Sequence, residues 1–150
     1  MKDALAELVA AKRIAEVKAR YFRGVDTQDW ELVAAQFAPD AVLRSRGSEA
    51  HGREAIIARM RSVLDGGGSS VHHGFTPEIE VTGSTATAIW VLEDLVTLAT
   101  GEGFHGYGHY HDTYAETGGE WLITSSHLTR LRVDPLTGTL PAVLGDVRAP

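Results

Sequence analysis

The sequence predicts an α+β domain in which helices cover one face of a mainly antiparallel sheet. Apolar residues recur at steps of three and four up to residue 64, and after the glycine run 66–68 they form extended segments separated by glycine-containing turns. Helices followed by a run of strands are typical of this fold class. A chain of 150 residues with 43% apolar residues has the size and composition for one domain with one core.

Three segments have the helical pattern. The first covers residues 3–25, with Asp3 as a suitable N-cap, and carries an apolar stripe along one side. A short second helix over residues 30–37 stops before Pro39, because the residue preceding a proline avoids the helical conformation. After a strand that begins at residue 41 and a polar loop at 45–52, the third helix covers residues 53–64.

The second half of the chain predicts a meander of strands. Its segments are rich in β-branched and aromatic residues, and they cover residues 71–75, 77–81, 86–98, 104–115 and 121–133. We therefore place the domain at residues 1–133. Residues 134–150, which contain three prolines and two glycines, are expected to form a C-terminal tail or an oligomer arm.

Composition excludes several classes of protein. The chain has 14 Lys and Arg against 20 Asp and Glu, a net charge of −6, and no Cys, so disulfides, cysteine-based metal sites and a thiol nucleophile are absent. Scattered cations in an acidic chain argue against nucleic-acid binding. The sequence has no signal-peptide pattern and no apolar run long enough for a membrane helix, so we expect a cytoplasmic protein without membrane partners.

Histidines are concentrated in one part of the chain. Residues 62–129 contain no Lys or Arg, but they contain nine Asp or Glu and six of the seven His. Imidazoles beside carboxylates indicate either acid–base chemistry or a metal site. His109 and His111 have a common metal-ligand spacing that resembles the first metal motif of cupins, although a second motif is missing and the long helices do not suit a double-sheet fold.

Two residues near the end of the first helix are candidates for a site. Tyr21 lies on the apolar stripe, so its ring is expected to be buried while its hydroxyl needs a partner. Asp26 follows at the break between the helices. It either caps the second helix or provides a carboxylate that orients a histidine.

The strands supply the remaining candidates. Because side chains alternate along a strand, only one of His72 and His73 can face a given cavity. Asp94 shares a strand face with Trp90 and other apolar residues, so it needs a partner, and Arg130 is the natural cation. The pair is either structural or substrate-binding. On the next strand, His109 and His111 face one way and Asp112 the other.

Several segments together resemble the SnoaL-like branch of the nuclear transport factor 2-like (NTF2-like) superfamily. They are residues 18–26 (KARYFRGVD), 37–40 (FAPD), 71–74 (VHHG), 76–79 (TPEI), 90–94 (WVLED), 111–114 (HDTY) and 121–123 (WLI). The resemblance implies a cone, made by a curved sheet and wrapped by N-terminal helices around a pocket. This fold hosts dehydratases, isomerases, cyclases, epoxide hydrolases and non-catalytic binding proteins.

Within the superfamily the pattern is most similar to the bile-acid 7α-dehydratases and more distantly to the scytalone dehydratases. The resemblance implies His72 as base, Asp26 as its orienting group and Tyr21 as a hydrogen-bond donor. It also implies that the substrate is a hydrophobic polycyclic or alicyclic molecule, that no metal or other cofactor takes part, and that the protein is a trimer or dimer. The substrate-binding residues are then expected to be Arg130, Asp94, His109, His111, Asp112 and Trp90.

Overall fold

The computed structural model describes residues 3–136. Three helices and six strands follow one another along the chain: α1 (Ala4–Asp26), α2 (Trp30–Ala34), β1 (Phe37–Ser45), β2 (Ser48–His51), α3 (Arg53–Leu64), β3 (Ser69–Thr82), β4 (Thr85–Thr97), β5 (Gly103–Thr117) and β6 (Glu120–Leu136). The Asp3 carboxylate accepts hydrogen bonds from the first turn of α1, as expected of an N-cap.

All six strands belong to one sheet, in the order β2-β1-β6-β5-β4-β3. The long strands β3 to β6 form an antiparallel meander, and β1 lies parallel to β6. The curved, unclosed sheet and the helix α1 packed across it confirm the predicted α+β cone. The parallel pair makes the sheet mixed, and α3 packs against β1 and β2 at that end of the sheet.

The core lies between the concave face and the helices. Along β4, the side chains of alternate residues from Ala86 to Val96 are buried, while those between them face outward. Ile14 and Val17 of α1 pack against this inner face with Phe37 of β1. Each fully buried side chain of this size contributes about 1.5–3 kcal/mol to stability, so the alternation holds the strands in register.

Several predicted strands have different bounds. The strand predicted from residue 41 begins at Phe37, and the predicted strands 71–75 and 77–81 form the single strand β3, whose pairing with β4 is irregular between Phe75 and Glu78. An edge strand such as β3 tolerates the proline at position 77.

The predicted second helix and the predicted polar loop also differ from the structure. The second helix ends at Ala34 rather than at residue 37, because Phe37 is fully buried and already pairs with Ile123 of β6. The polar stretch 45–52 contains the short strand β2, which pairs with β1 as a hairpin, rather than loop alone. In both places tertiary pairing overrides a local pattern.

The first turns of α1 also differ from the prediction. Leu5 and Leu8 continue the apolar stripe in the sequence, but their exposed fractions are 70% and 68%. Ile14 is the first buried residue of α1. The periodicity of apolar residues therefore predicted the helix correctly, but it did not predict which of its turns are buried against the rest of the protein.

Strand β6 continues to Leu136, three residues beyond the predicted domain end at residue 133. The remainder of the expected tail or oligomer arm, residues 137–150, lies outside the described residues. None of the helices formed by residues 3–136 combines the length and apolar composition needed to cross a bilayer.

Candidate active site

The end of α1 brings a carboxylate against the start of β3. Asp26 Oδ1 lies 2.6 Å from His72 Nδ1 and accepts a hydrogen bond from Ser70 Oγ at 2.8 Å, and Asp26 Oδ2 accepts one from the backbone N–H of His72 at 2.8 Å. Asp26 is not the cap of α2, because Asp29 accepts the hydrogen bond from Leu32 N. The three contacts to β3 hold the Asp26 carboxylate in one orientation.

This arrangement determines which nitrogen of His72 is free. A carboxylate oxygen only accepts hydrogen bonds, so the ring proton of neutral His72 is assigned to Nδ1. Nε2 then carries the lone pair and can accept a proton. The imidazole is nearly buried, with 9% of the side chain exposed.

Phe22 supports the imidazole from α1. Its ring stacks on that of His72 with centroids 5.8 Å apart and planes 12° from parallel. Gly74 makes room for this ring, because a Cβ at that position would lie 2.3 Å from Phe22 Cε2. The glycine in the VHHG segment thus serves to position the histidine two residues before it.

Two buried tyrosines lie beside this dyad. Tyr21 and Tyr110 are 4% and 3% exposed, their rings meet edge to face at 6.1 Å, and their hydroxyls share a hydrogen bond. Burial raises the pKa of both phenols well above the usual value, and the charges of nearby carboxylates, Asp112 and Asp94, add to the effect. Both hydroxyls therefore stay protonated at neutral pH and act as hydrogen-bond donors.

A cavity of about 140 Å³ opens between the sheet and α3. Its lining is mostly apolar, and the polar side chains that reach it include those of His72, Tyr21 and Tyr110. The full lining is Tyr21, Val25, Leu43, Ser45, Arg59, Met60, Val63, Leu64, Ser70, His72, Val96, Tyr110 and Leu128. An apolar cavity with a few converging polar groups is the usual form of a small-molecule site.

Asp94 and Arg130 form the expected pair. Arg130 donates to both carboxylate oxygens, at 2.6 and 2.8 Å, and the Asp94 side chain is 3% exposed. Burial alone lowers the pKa of Arg130, but the hydrogen bonds and charge of Asp94 more than offset it and raise that pKa above its usual value. Asp94 lies opposite His72 in the β3–β4 register, although neither member of the pair reaches the cavity wall.

Asp112 and Trp90 do not lie where they were expected. Both are buried, and neither lines the cavity. Trp90 Nε1 donates to the Tyr114 hydroxyl at 3.3 Å, that hydroxyl donates to Asp112 Oδ2 at 2.9 Å, and Lys18 Nζ lies 2.7 Å from the same oxygen. These contacts make Trp90 and Asp112 part of an internal polar network, in which Lys18 of α1 pairs with Asp112 Oδ2.

Sequence reasoning missed Lys18. It is 1% exposed, and its ammonium lies 3.6 Å from the centroid of the Tyr110 ring and 4.8 Å from that of Tyr21. Burial lowers the pKa of Lys18, and Asp112 opposes this shift. The available signal was a lysine four residues after Ile14 and three before Tyr21, on the buried stripe of a helix.

His109 and His111, which were expected to bind the substrate, also do not reach the cavity. They lie on the outer face of β5, opposite to Tyr110 and Asp112, and His111 contacts Thr129 there. Strand alternation predicted that the two sets face opposite ways, but not which set faces the core. Within residues 3–136, no three His, Asp or Glu side chains converge in a geometry that could hold a metal ion.

Fold and site together define the class of protein: an NTF2-like cone with a carboxylate–imidazole pair at an apolar cavity. The chain belongs to the SnoaL-like domain family, whose model matches residues 6–127. The family resemblance expected from the sequence is therefore confirmed.

Solved structures share this fold over most of the chain. A hexachlorocyclohexane dehydrochlorinase, LinA type 2, has a TM-score of 0.82 at 19% identity, covering 95% of this chain and 99% of its own. A candidate scytalone dehydratase from Novosphingobium aromaticivorans DSM 12444 has a TM-score of 0.77 at 20% identity, covering 93% and 97%.

Rv3472 from Mycobacterium tuberculosis, a protein of unknown function solved as a variant, has a TM-score of 0.75 at 26% identity, covering 88% of this chain and 78% of its own. The cone is thus one that enzymes acting on small molecules share with proteins of unassigned role.

Proposed function

We propose that the protein is a cofactor-independent dehydratase or isomerase that removes a proton next to a carbonyl group of a hydrophobic cyclic molecule. The observation that carries this proposal is the 2.6 Å contact between Asp26 and His72 at the wall of an apolar cavity. A protein that only binds an apolar ligand has no evident need for a carboxylate aimed at an imidazole.

His72 is the general base. Its Nε2 takes the proton from the substrate carbon, and the resulting imidazolium is stabilised by Asp26, which also holds the ring in place. The apolar surroundings strengthen this charge interaction relative to water. The base and its orienting group come from different elements, so the dyad exists only in the folded cone.

Tyr21 stabilises the charge that develops on the substrate oxygen. Removal of the proton turns the carbonyl into an enolate, and a fixed hydroxyl donor favours that state. The raised pKa of Tyr21 keeps the proton on the phenol, and Tyr110, which shares a hydrogen bond with it, orders this donor. Arg130 is paired with Asp94 and lies off the cavity wall, so it has no part in this step.

The protonated His72 completes the reaction. In a β-hydroxy carbonyl compound, the electron pair of the broken C–H bond forms a C=C bond and the hydroxyl leaves with the His72 proton as water, on the same face of the ring. Without a leaving group, return of the proton to another carbon moves a double bond. His109 and His111 take no part, because both lie on the outer face of the sheet.

The cavity volume favours an alicyclic substrate over a large polycyclic one. A cavity of roughly 150 Å³ holds one benzene-sized ring, and this one measures about 140 Å³. A single ring therefore fits between His72 and α3. LinA, with the same fold, acts on hexachlorocyclohexane, which is also a single ring.

The test is exchange of deuterium into 3-hydroxycyclohexanone, followed by NMR in D₂O, with enone formation followed by absorbance. We expect exchange next to the carbonyl with the native protein and a loss of about 10²- to 10⁴-fold in His72→Gln. His73→Gln is the matched control, since His73 is the next residue on β3 and faces outward, with 53% of its side chain exposed. Equal rates in the His72→Gln and native proteins would overturn the proposal.

We also propose that the chain forms a homo-oligomer through the outer face of β3 and β4. Five large apolar side chains of this face are 36–47% exposed: Val71, Phe75, Ile89, Val91 and Leu95. A contiguous exposed apolar patch is typical of a protein interface. Light scattering is expected to give a dimer or trimer, with Val91→Glu shifting the mass to that of one chain.

A further inference from the structure

We infer that Arg59 binds an anionic group of the substrate, so that the substrate is a cyclic hydroxy or keto acid. This inference rests on the proposed function, because it concerns the same cavity. It replaces Arg130 as the group that holds a substrate carboxylate, since both terminal nitrogens of Arg130 donate to Asp94 and Arg130 does not line the cavity.

Arg59 reaches the cavity from α3. It shares the lining face of the helix with Met60, Val63 and Leu64, so its charged head lies next to apolar side chains. The residue is half-buried. A guanidinium on such a wall is partly removed from water and is available to a bound ligand.

The partners of Arg59 are all neutral. Its Nη2 donates to the carbonyl and hydroxyl oxygens of Ser45, at 3.1 and 2.8 Å, and its Nη1 donates to the carbonyl oxygen of Ser48 at 3.3 Å. These contacts tie the side chain to the end of β1 and hold it in one orientation. Three of the five guanidinium N–H groups are used, which leaves two for a ligand.

Other arginines nearby have their charge compensated. Arg44 pairs with Glu49, Arg61 with Asp65, and Arg130 with Asp94. Among residues 3–136, Arg59 forms no ion pair of this kind, and the described cavity lining contains no Asp or Glu. The cavity wall therefore carries a positive charge without its counter-charge, in a protein whose net charge is −6.

This charge pattern selects the class of anion. One guanidinium balances one negative charge, so a carboxylate leaves the site neutral, whereas a phosphate dianion leaves a surplus negative charge near the Asp26 carboxylate. The volume of about 140 Å³ also suits one ring with a small planar substituent. A ring held by its carboxylate at Arg59 can then present a carbonyl oxygen to Tyr21.

The test compares binding of 3-oxocyclohexanecarboxylate with binding of the uncharged 3-oxocyclohexanecarboxamide, by calorimetry. We expect the native protein to bind the carboxylate roughly tenfold tighter or more, the ratio that a charge-assisted hydrogen bond provides. Arg59→Gln is expected to reduce the ratio to near one. Arg61→Gln is the matched control, because Arg61 lies on the same helix, outside the cavity, and should keep the native ratio.

Arg59→Lys separates loss of the charge from loss of folding, because it changes the same side chain but keeps the positive charge. This variant is expected to retain a preference for the carboxylate. Absence of a preference in the native protein, or a full preference in Arg59→Gln, would overturn the inference. Binding does not require turnover, so His72→Gln should keep the preference. A retained preference without catalysed exchange would therefore reject the proposed function and leave Arg59 as an anion site.

Discussion

At the scale of single residues, Asp26 has the most demanding role. Its two oxygens accept three hydrogen bonds, from Ser70 and from the backbone and ring of His72. An amide offers one oxygen, so Asp26→Asn leaves at least one of these donors facing an NH₂ group. The carboxylate therefore orients the base and also ties the end of α1 to β3.

We expect Asp26→Asn to slow catalysed deuterium exchange by about 10²- to 10⁴-fold and to lower the free energy of unfolding by about 1–3 kcal/mol. The rate falls because the imidazolium loses its counter-charge. Exchange NMR and urea denaturation measure the two effects. Asp29→Asn is the matched control, since Asn also caps helices and Asp29 caps α2. An Asp26→Asn protein with native rates would contradict the assignment.

Tyr21→Phe tests the hydrogen-bond donor. The substitution keeps the buried ring, so we expect near-native binding and a kcat lowered by about 10²-fold, the effect of losing one donor to an enolate oxygen. Steady-state kinetics separates kcat from KM. Tyr107→Phe is the control, because its hydroxyl contacts His105 on the outer face, 3.3 Å away. A change confined to KM would instead make Tyr21 a binding residue.

At the scale of elements, the ion pair between Lys18 and Asp112 joins α1 to β5. Both side chains are at most 1% exposed, and the pair spans 94 residues of sequence. The Lys18 ammonium also lies over the ring of Tyr110, so the same contact sets the position of that tyrosine. The packing of α1 on the sheet therefore depends on a buried charge pair and not on apolar contacts alone.

We expect Lys18→Met to lower the free energy of unfolding by about 3–5 kcal/mol, because it leaves the Asp112 carboxylate buried without a counter-charge. Adding Asp112→Asn should recover most of the loss, since the amide still accepts from Tyr114. Lys12→Met, on the exposed side of the same helix, should change little. Urea denaturation measures all three. A double variant as unstable as Lys18→Met would refute the charge argument.

At the scale of the whole molecule, buried phenols make stability depend on alkaline pH. Burial raises the pKa of Tyr21, Tyr110 and Tyr114 above the usual value of 10.0. Above pH 10 these phenols ionise in the unfolded chain before they do in the folded one, so the unfolded state is favoured. The stability is thus fully present below pH 10 and is lost as the pH rises above it.

We expect the urea midpoint, followed by circular dichroism, to be constant up to about pH 10 and to fall progressively above it. In Tyr114→Phe the fall should be shallower, because one of the phenols that releases a proton on unfolding is gone. The absorbance of the phenolate form shows whether the tyrosines ionise before or during unfolding. If these three tyrosines ionise while the chain is still folded, the link between their burial and stability is wrong.

Much of the fold could be predicted from the sequence because local periodicity records which faces are buried. The bounds of α3 match the prediction at residues 53–64, and the alternating pattern of β4 placed Asp94 on a buried face that needed a cation. The helix-then-strand order and the family segments indicated the cone. The family resemblance, and not periodicity, proposed Asp26, His72 and Tyr21 as a set before any distance was known.

Only the tertiary structure decided which face of each strand is buried and which charged side chains meet. Periodicity shows that His109 and Asp112 face opposite ways, but only the packing of α1 shows that Asp112 is inside, against Lys18, and that His109 is outside. It also placed Arg59 on the cavity wall, where its charge has only neutral partners. The physical reason is that burial patterns are local, whereas a charge acquires its partner from segments distant in sequence, and only the folded chain brings them together.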